Sequence, residues 1–173
     1  LNVDNWRWKD VPFYLRSGKS LARKSSEIII EFNHPPHRMF ELPDEYDFTS
    51  NILSLCIQPD EGIHLTFEIK VPDSIRESRS VDMDFHYEDE FGQAALPEAY
   101  ERLLLDALNG DASLFARSDE IELSWKLVDP LIQTSSSDYP ELDFYQPGSW
   151  GPAEADRLLA TSGHTWRIGC LHE

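Results

Sequence analysis

The stretch L-S-L-C-I-Q-P-D-E-G-I-H-L-T-F-E-I-K at residues 53–70 decides the fold class of this chain. On both sides of the turn Q-P-D-E-G, apolar side chains occupy every second position, with polar side chains such as His64, Thr66 and Glu68 between them. Alternation with a period of two is typical of antiparallel strands that have one apolar and one polar face. These residues therefore predict a β-hairpin.

Three further segments extend this pattern. Residues 28–33 alternate and predict a strand that ends before the prolines of residues 35–36, because the residue before a proline is pushed out of regular pairing geometry. Residues 81–88 alternate over their full length and predict another strand. The run V-P-F-Y-L-R at residues 11–16 predicts a first strand, and residues 36–47 predict an excursion between strands.

The second half of the chain changes to a helical period. Residues 97–110 combine a proline at the first helical position, an apolar stripe at i, i+3 and i+4 spacing, and a final Asn-Gly stop. A second helix is expected from about residue 118 until Pro130, and a third over residues 152–161. Strands followed by helices predict an α+β domain: a largely antiparallel multi-stranded sheet with helices packed on one face.

The composition bounds the class of protein. The chain has 173 residues, of which 40% are hydrophobic, enough for one domain with its own core. With 15 Lys and Arg against 32 Asp and Glu, the formal net charge of -17 opposes nucleic acid and anionic membrane surfaces as partners. No apolar run approaches the roughly 18 to 20 residues of a membrane span. The chain begins without Met, so we expect it to be a piece of a longer protein.

The two cysteines form no metal-binding or redox spacing. Cys56 lies within a predicted strand, where a packed thiol is the simpler interpretation than a nucleophile. A pair of cysteines is not a disulfide framework, so a reducing, cytoplasmic compartment is expected.

A cluster of cations follows the run at residues 11–16. Four of the 15 Lys and Arg residues lie within nine positions: Arg16, Lys19, Arg23 and Lys24. Lysines beside a glycine at a turn suit a phosphate group, because the backbone can approach the ligand and the ammonium groups are mobile point charges. Turns also collect solvated cations without any ligand, and spacing alone favours this second interpretation.

The polar positions of the predicted strands form a second candidate site: His64, Glu68, Asp82, Asp84, His86 and Glu88. If these strands are neighbours, imidazoles and carboxylates lie across from one another, as zinc or manganese ligation requires. Their even distribution along alternating positions instead favours a polar face that is wet or packed against another subunit. No metal is therefore predicted, and no catalytic set of acid, base and nucleophile can be nominated.

Five motifs, in order along the chain, resemble the C-terminal domain of the glucose-6-phosphate dehydrogenase family. They are V-P-F-Y-L-R-S-G-K at residues 11–19, Q-P-D-E-G at 58–62, P-E-A-Y-E-R-L-L-L-D at 97–106, F-A-R-S-D-E at 115–120 and G-S-W-G-P-A-E-A-D at 148–156. Five collinear motifs are far more specific than any single one. The resemblance implies that residues 1–173 form one domain, the C-terminal domain of that family.

This resemblance implies an oxidoreductase that uses NADP to oxidise glucose 6-phosphate to 6-phosphoglucono-lactone in the oxidative pentose phosphate pathway. The family's N-terminal Rossmann domain binds most of the NADP and is absent from this chain, as is the segment with the catalytic histidine. The fragment alone is therefore expected to be inactive. The implied partners are glucose 6-phosphate, the protein's own Rossmann domain and a second copy, in a homodimer or a dimer of dimers formed through the sheet. The alternative is a free-standing interaction or regulatory module that kept the fold without the catalytic half.

Site residues carry over from the same motifs. Lys19 follows R-S-G in the first motif and Lys24 comes five positions later; both are expected to hold the sugar phosphate, with Gln58 as a lesser sugar contact. Animal members of the family bind a second, structural NADP in this domain through cations and aromatic residues. Several of those positions lack the cation here, so this second site is expected to be absent: Ser25, Ile29, Cys56, Thr66 and Trp150.

Overall fold

The computed structural model describes residues 1–37, 49–75, 77–92, 99–133 and 142–170. The excursion expected over residues 36–47 lies almost entirely outside the described residues, and so does Pro97.

Four antiparallel strands form one sheet in the described part of the chain. The strands are β1 (Ser26–Glu31), β2 (Ile52–Gln58), β3 (Gly62–Lys70) and β4 (Ser78–His86). Their order in the sheet is β1-β2-β3-β4, so each strand pairs with its neighbours in sequence. Strands β2 and β3 are the hairpin that the alternating pattern predicts. The α+β class and the antiparallel sheet are confirmed.

The register places apolar side chains on one face of the sheet. Leu55 lies opposite both Ile28 and Ile63, and Ile63 lies opposite Phe85 of β4. This face is open to solvent in the described chain, where Ile28 is 49% and Met83 61% exposed. A contiguous apolar surface of this kind is typical of a face that another body covers.

The opposite, polar face is better covered. Ser54 and Cys56 of β2 and His86 of β4 are all buried. Gly169 lies so close to Ser54 that a Cβ atom added to the glycine would clash with the serine side chain. The C-terminal part of the described chain therefore covers the middle of the polar face.

Four helices accompany the sheet: α1 (Tyr87–Phe91), α2 (Ala99–Asn109), α3 (Ser118–Gln133) and α4 (Ala153–Ala160). The three helices predicted from the sequence correspond to α2, α3 and α4. Within the described residues, no helix combines the length and apolar character that crossing a bilayer requires.

Two boundaries differ from the sequence predictions. Pro130 lies inside α3 and does not end it. The helix tolerates this proline because its missing N–H costs a single backbone hydrogen bond in the last turn, three residues before the helix ends. Tyr87 and Glu88 begin α1 and do not continue β4. Acidic side chains in the first turn favour the helix, and the Tyr87 and Phe91 rings stack one turn apart with centroids 5.9 Å from each other.

Residues 11–16 are extended, but the prediction of a regular strand there is wrong. In the described chain they form an isolated bridge between Asn2 and Pro12, with no continuous ladder. Side chains hold the segment: the Tyr14 hydroxyl lies 3.0 Å from Nδ1 of His164. Backbone pairing within the described residues is limited to the first residues of the chain, with hydrogen bonds between Leu1 and Phe13 in both directions. The Phe13 ring contacts Trp8, and the Tyr14 ring contacts His164 and Trp166.

A disulfide joins Cys56 of β2 to Cys170 across 114 residues of sequence, with the Cα atoms 5.9 Å apart. The expectation that Cys56 is a free packed thiol is therefore wrong. The two sulfur atoms meet because Gly169 and Cys170 lie over the polar face, a placement that depends on tertiary structure and leaves no signal near either cysteine. In the chain-entropy model a bond that closes a loop of this length stabilises the fold by about 5 kcal/mol.

Candidate functional site

A turn at residues 17–24, here called the cation turn, presents the two lysines that the sequence singles out. Ser20 within it has a positive φ of 55°. A second segment, residues 145–150, here called the support loop, is bonded to its backbone. The Tyr145 hydroxyl donates to the Lys19 carbonyl at 2.7 Å, the Gly148 N–H to the Ser20 carbonyl at 2.8 Å, and the Ala22 N–H to the Ser149 carbonyl at 2.9 Å. These bonds fix the backbone of the turn from one side.

Arg16 fastens the start of the cation turn. Its guanidinium carbon lies 4.9 Å from the Trp150 ring centroid and 4.6 Å from the Trp166 ring centroid. A guanidinium near two indole rings is attracted by both, so this cation has a structural partner within the chain. Arg23 is also engaged, because its Nη2 donates to the Cys170 carbonyl. Two of the four clustered cations therefore support the fold.

The other two cations, Lys19 and Lys24, are exposed. Among the ion pairs of the described residues, neither ammonium group has a carboxylate partner. Their charges therefore remain free for an anion, while the backbone that carries them is held. A fixed turn with two ammonium groups is a suitable binding site for a phosphate dianion.

Gln58 lies at the end of β2 and is exposed. It is paired with Ser26 of β1, and Ser26 comes two residues after Lys24. The structure therefore brings Gln58 beside the end of the cation turn, as a shared binding site requires.

The polar sheet face forms a hydrogen-bonded and ring-contacting cluster. Strands β3 and β4 are neighbours, so His64 lies opposite Asp84, the arrangement that the sequence predicts only if these strands pair. The His64 and His86 rings meet edge-on with centroids 4.9 Å apart, and His86 Nδ1 lies 3.4 Å from an Asp60 carboxylate oxygen. Among the described residues, no group of three or more His, Cys, Asp or Glu side chains is arranged to hold a metal ion.

Two carboxylates of β1 bind the C-terminal residues. An oxygen of Glu27 accepts hydrogen bonds from the N–H groups of Gly169 and Cys170, both at 3.1 Å. Glu31 accepts two bonds from the Arg167 guanidinium, at 3.0 and 3.1 Å. The hydrogen bonds from Arg167 hold the pKa of Glu31 below its ordinary value of 4.5 and raise the pKa of Arg167.

The Glu31 pair makes part of the stability depend on pH. Because the carboxyl pKa is lowered in the folded state, its contribution is complete above pH 4.5 and is lost as the pH falls through the lowered folded value. Both side chains are partly exposed, so the effect is modest. We expect Glu31→Gln to lower the thermal unfolding midpoint by about 1–2 °C near neutral pH, and this difference to shrink in acid.

The matched control is Glu154→Gln, which breaks an exposed pair with Arg157 on α4. A difference between wild type and Glu31→Gln that stayed constant from neutral to acidic pH would contradict the assignment.

The sequence did not assign roles to the residues that hold the cation turn. Tyr145, Ser149 and Trp150 support it from one side and Cys170 from the other. The run Q-P-G-S-W-G-P at residues 146–152 is rich in turn-forming residues and signals a loop, but nothing local identifies the segment that the loop contacts.

Comparison with known proteins adds the family. The sequence model of the family described as "Glucose-6-phosphate dehydrogenase, C-terminal domain" matches residues 1–167. The chain belongs to this family. The family's motifs at residues 11–19 and 148–156 include parts of the cation turn and of its support loop, which the structure holds together.

Curated relatives carry the same family name. The chain is 46% identical over 165 residues to a glucose-6-phosphate 1-dehydrogenase of Aggregatibacter actinomycetemcomitans, which covers 95% of the chain and 32% of the relative. It is 42% identical over 167 residues to glucose-6-phosphate 1-dehydrogenase 2 of Mycobacterium tuberculosis (strain ATCC 25618 / H37Rv), with 96% and 32% covered. The chain therefore spans about a third of the length of these relatives.

Solved structures of the family have the same fold. A glucose-6-phosphate 1-dehydrogenase from Mycobacterium avium superposes with a TM-score of 0.77 at 36% identity, covering 99% of this chain and 34% of that one. A glucose-6-phosphate dehydrogenase in complex with its substrate glucose-6-phosphate superposes with a TM-score of 0.82 at 36% identity, covering 96% and 34%.

Proposed function

We propose that this chain is the C-terminal, substrate-phosphate-binding part of an NADP-dependent glucose-6-phosphate dehydrogenase, with residues 1–173 forming one domain. In this reaction C1 of the sugar loses a hydride to NADP and the hydroxyl group on C1 loses its proton to a base, which leaves 6-phosphoglucono-lactone. The chain contributes the cation turn. The nucleotide-binding domain and the base belong to the N-terminal part of the protein.

The observation that carries this proposal is the geometry of the cation turn. Its backbone is bonded to the support loop and its Arg23 side chain to the Cys170 carbonyl, while Lys19 and Lys24 are exposed and have no carboxylate partner among the described residues. A relative of known structure was solved in complex with glucose-6-phosphate, which supports a phosphorylated sugar as the ligand. Gln58, beside the end of the turn, is the expected additional sugar contact.

NADP enters the proposal as a cofactor bound mainly outside this chain. We expect no second, structural NADP here. Two of the positions at which animal members bind it have partners within the chain: Cys56 is in the disulfide and the Trp150 ring is covered by Arg16.

The apolar sheet face, and not the polar face considered from the sequence, is the proposed contact between two copies. The middle of the polar face, around Ser54, is already covered within the chain, whereas Ile28, Ile63 and Met83 on the other face are exposed. Burial of such a face in a homodimer, or in a dimer of dimers, removes this apolar area from water.

The cytoplasmic location expected from the sequence depends on cysteines that stay unpaired in a reducing compartment, and the structure removes that reason. The disulfide between Cys56 and Cys170 argues against a strongly reducing compartment, because such bonds are rare in cytosolic proteins.

The test is an activity assay of the full-length protein beside this chain alone. We expect the full-length protein to reduce NADP with glucose 6-phosphate, and the isolated chain to be inactive and to bind the sugar phosphate at about millimolar affinity or more weakly, because a site shared between two domains keeps only part of its contacts. Micromolar binding by calorimetry would contradict the shared site. A full-length protein without activity would favour the regulatory-module alternative.

A further inference from the structure

The segment at residues 167–170 is attached to the sheet at three points. Cys170 is bonded to Cys56 of β2, the Gly169 and Cys170 N–H groups donate to Glu27, and Arg167 forms a two-bond pair with Glu31. This attachment makes residues 167–170 a fixed part of the polar face rather than a loose tail.

The same segment holds the cation turn. The Arg23 guanidinium donates to the backbone carbonyl of Cys170, the residue that the disulfide fixes. Arg23 directly precedes Lys24 and lies four residues after Lys19. The turn is therefore supported on one side by the support loop and on the other by a residue that is covalently bonded to β2.

From this arrangement we propose that Arg23 is a positioning residue for substrate binding: bonded to the disulfide-anchored Cys170, it holds the cation turn so that Lys19 and Lys24 meet the substrate phosphate. This inference rests on the proposed function. Ordering two flexible lysines on a mobile turn costs binding free energy, and a turn that is held before the ligand arrives avoids part of that cost. Nη2 of Arg23 is on the Cys170 carbonyl and Nε is buried within the chain, so we assign Arg23 to holding the turn and not to a third phosphate contact.

The experiment uses full-length variants Arg23→Ala, Cys170→Ser, Cys56→Ser and the double variant Arg23→Ala/Cys170→Ser, with KM and kcat measured for glucose 6-phosphate and KM for NADP. We expect each single change to raise the KM for glucose 6-phosphate by about 3–10-fold, with kcat within about twofold and the KM for NADP unchanged. Cys56→Ser is informative because Cys56 lies on β2 and does not itself bond Arg23. Its disulfide acts on the turn through Cys170, whose carbonyl accepts the bond from Arg23.

Non-additivity is the decisive readout, because two residues that act through one contact lose it only once. The double variant should be no worse than the worse single variant, and Arg23→Lys, which keeps a donor, should restore part of the affinity. Arg157→Ala, at an exposed position of α4, is the control and should leave every constant unchanged. Thermal unfolding of each variant identifies those that fail to fold, and the KM values are compared among the variants that fold.

Several outcomes would overturn the inference. One is an unchanged KM in Arg23→Ala or in both cysteine variants. A second is a double variant whose rise in KM equals the product of the two single-variant rises, which would make Arg23 an independent contact. A third is a fall in kcat together with similar rises in both KM values, which would indicate general damage. Free thiols at both cysteines of the purified wild type would also contradict it. A wild-type protein without dehydrogenase activity would instead reject the proposed function.

Discussion

Replacing Lys19 by Ala in the full-length dehydrogenase should raise the KM for glucose 6-phosphate by about 30-fold and leave kcat nearly unchanged. Removal of a charge partner from a desolvated phosphate costs on the order of 2 kcal/mol or more, and about 1.4 kcal/mol corresponds to a factor of ten. The lysine is exposed in this chain, and under the proposed function the N-terminal part of the protein completes the site and excludes water from it. Steady-state kinetics over a range of sugar phosphate concentrations measures the change.

Lys70→Ala is the matched control for Lys19→Ala. Lys70 is an exposed lysine at the end of β3, opposite the end where Gly62 begins the strand. We expect its removal to leave the KM unchanged, although it changes the net charge by the same amount. Equal effects of the two variants would mean that long-range charge, and not a specific contact, governs binding.

Gly62→Val should destabilise the protein much more than loss of the Glu31–Arg167 pair does. A Cβ atom on Gly62 would lie 2.6 Å from the Phe85 carbonyl oxygen and 2.9 Å from His86 Nδ1. The carbonyl belongs to the backbone of β4 and cannot move without breaking the β3–β4 register, so forcing in a side chain costs about 3 kcal/mol. The thermal midpoint of the full-length protein should fall by at least about 5 °C.

The Gly62 prediction is checked with two side chains of different size, alanine and valine. Gly62→Ala should produce a smaller loss than Gly62→Val, since both meet the Phe85 carbonyl but only valine adds branched atoms behind it. Lys70→Ala at the other end of the strand should leave the midpoint unchanged. A Gly62→Val protein as stable as wild type would show that β3 and β4 do not approach as closely as described.

The sheet could be predicted because its information is local. Residues 53–70 contain both strands and the turn of one hairpin, and each remaining strand pairs with its neighbour in sequence, so period-two alternation was sufficient. The helices could be predicted because their apolar stripes and their start and stop signals are also local in sequence. The two wrong boundaries, at Pro130 and at residues 87–88, lie at the ends of elements, where one hydrogen bond decides the assignment.

Features that depend on distant residues could not be predicted. Nothing near Cys56 indicates a partner 114 residues away, and nothing in residues 11–16 indicates the contact of Tyr14 with His164. The candidate site divides in the same way. Lys19 and Lys24 were recognised from a family motif, whereas the contacts that hold their turn, from Tyr145 and Cys170, join segments far apart in sequence.

The most direct measurement compares glucose 6-phosphate with glucose as substrates of the full-length double variant Lys19→Ala/Lys24→Ala. If both lysines hold the phosphate, kcat/KM for glucose 6-phosphate should fall by about 100-fold or more, because two charged contacts are lost, while kcat/KM for glucose should stay within about threefold. The preference for the phosphorylated sugar would then be largely lost. An equal fall for both sugars, or an undiminished preference for glucose 6-phosphate, would contradict the central claim that this turn binds the phosphate.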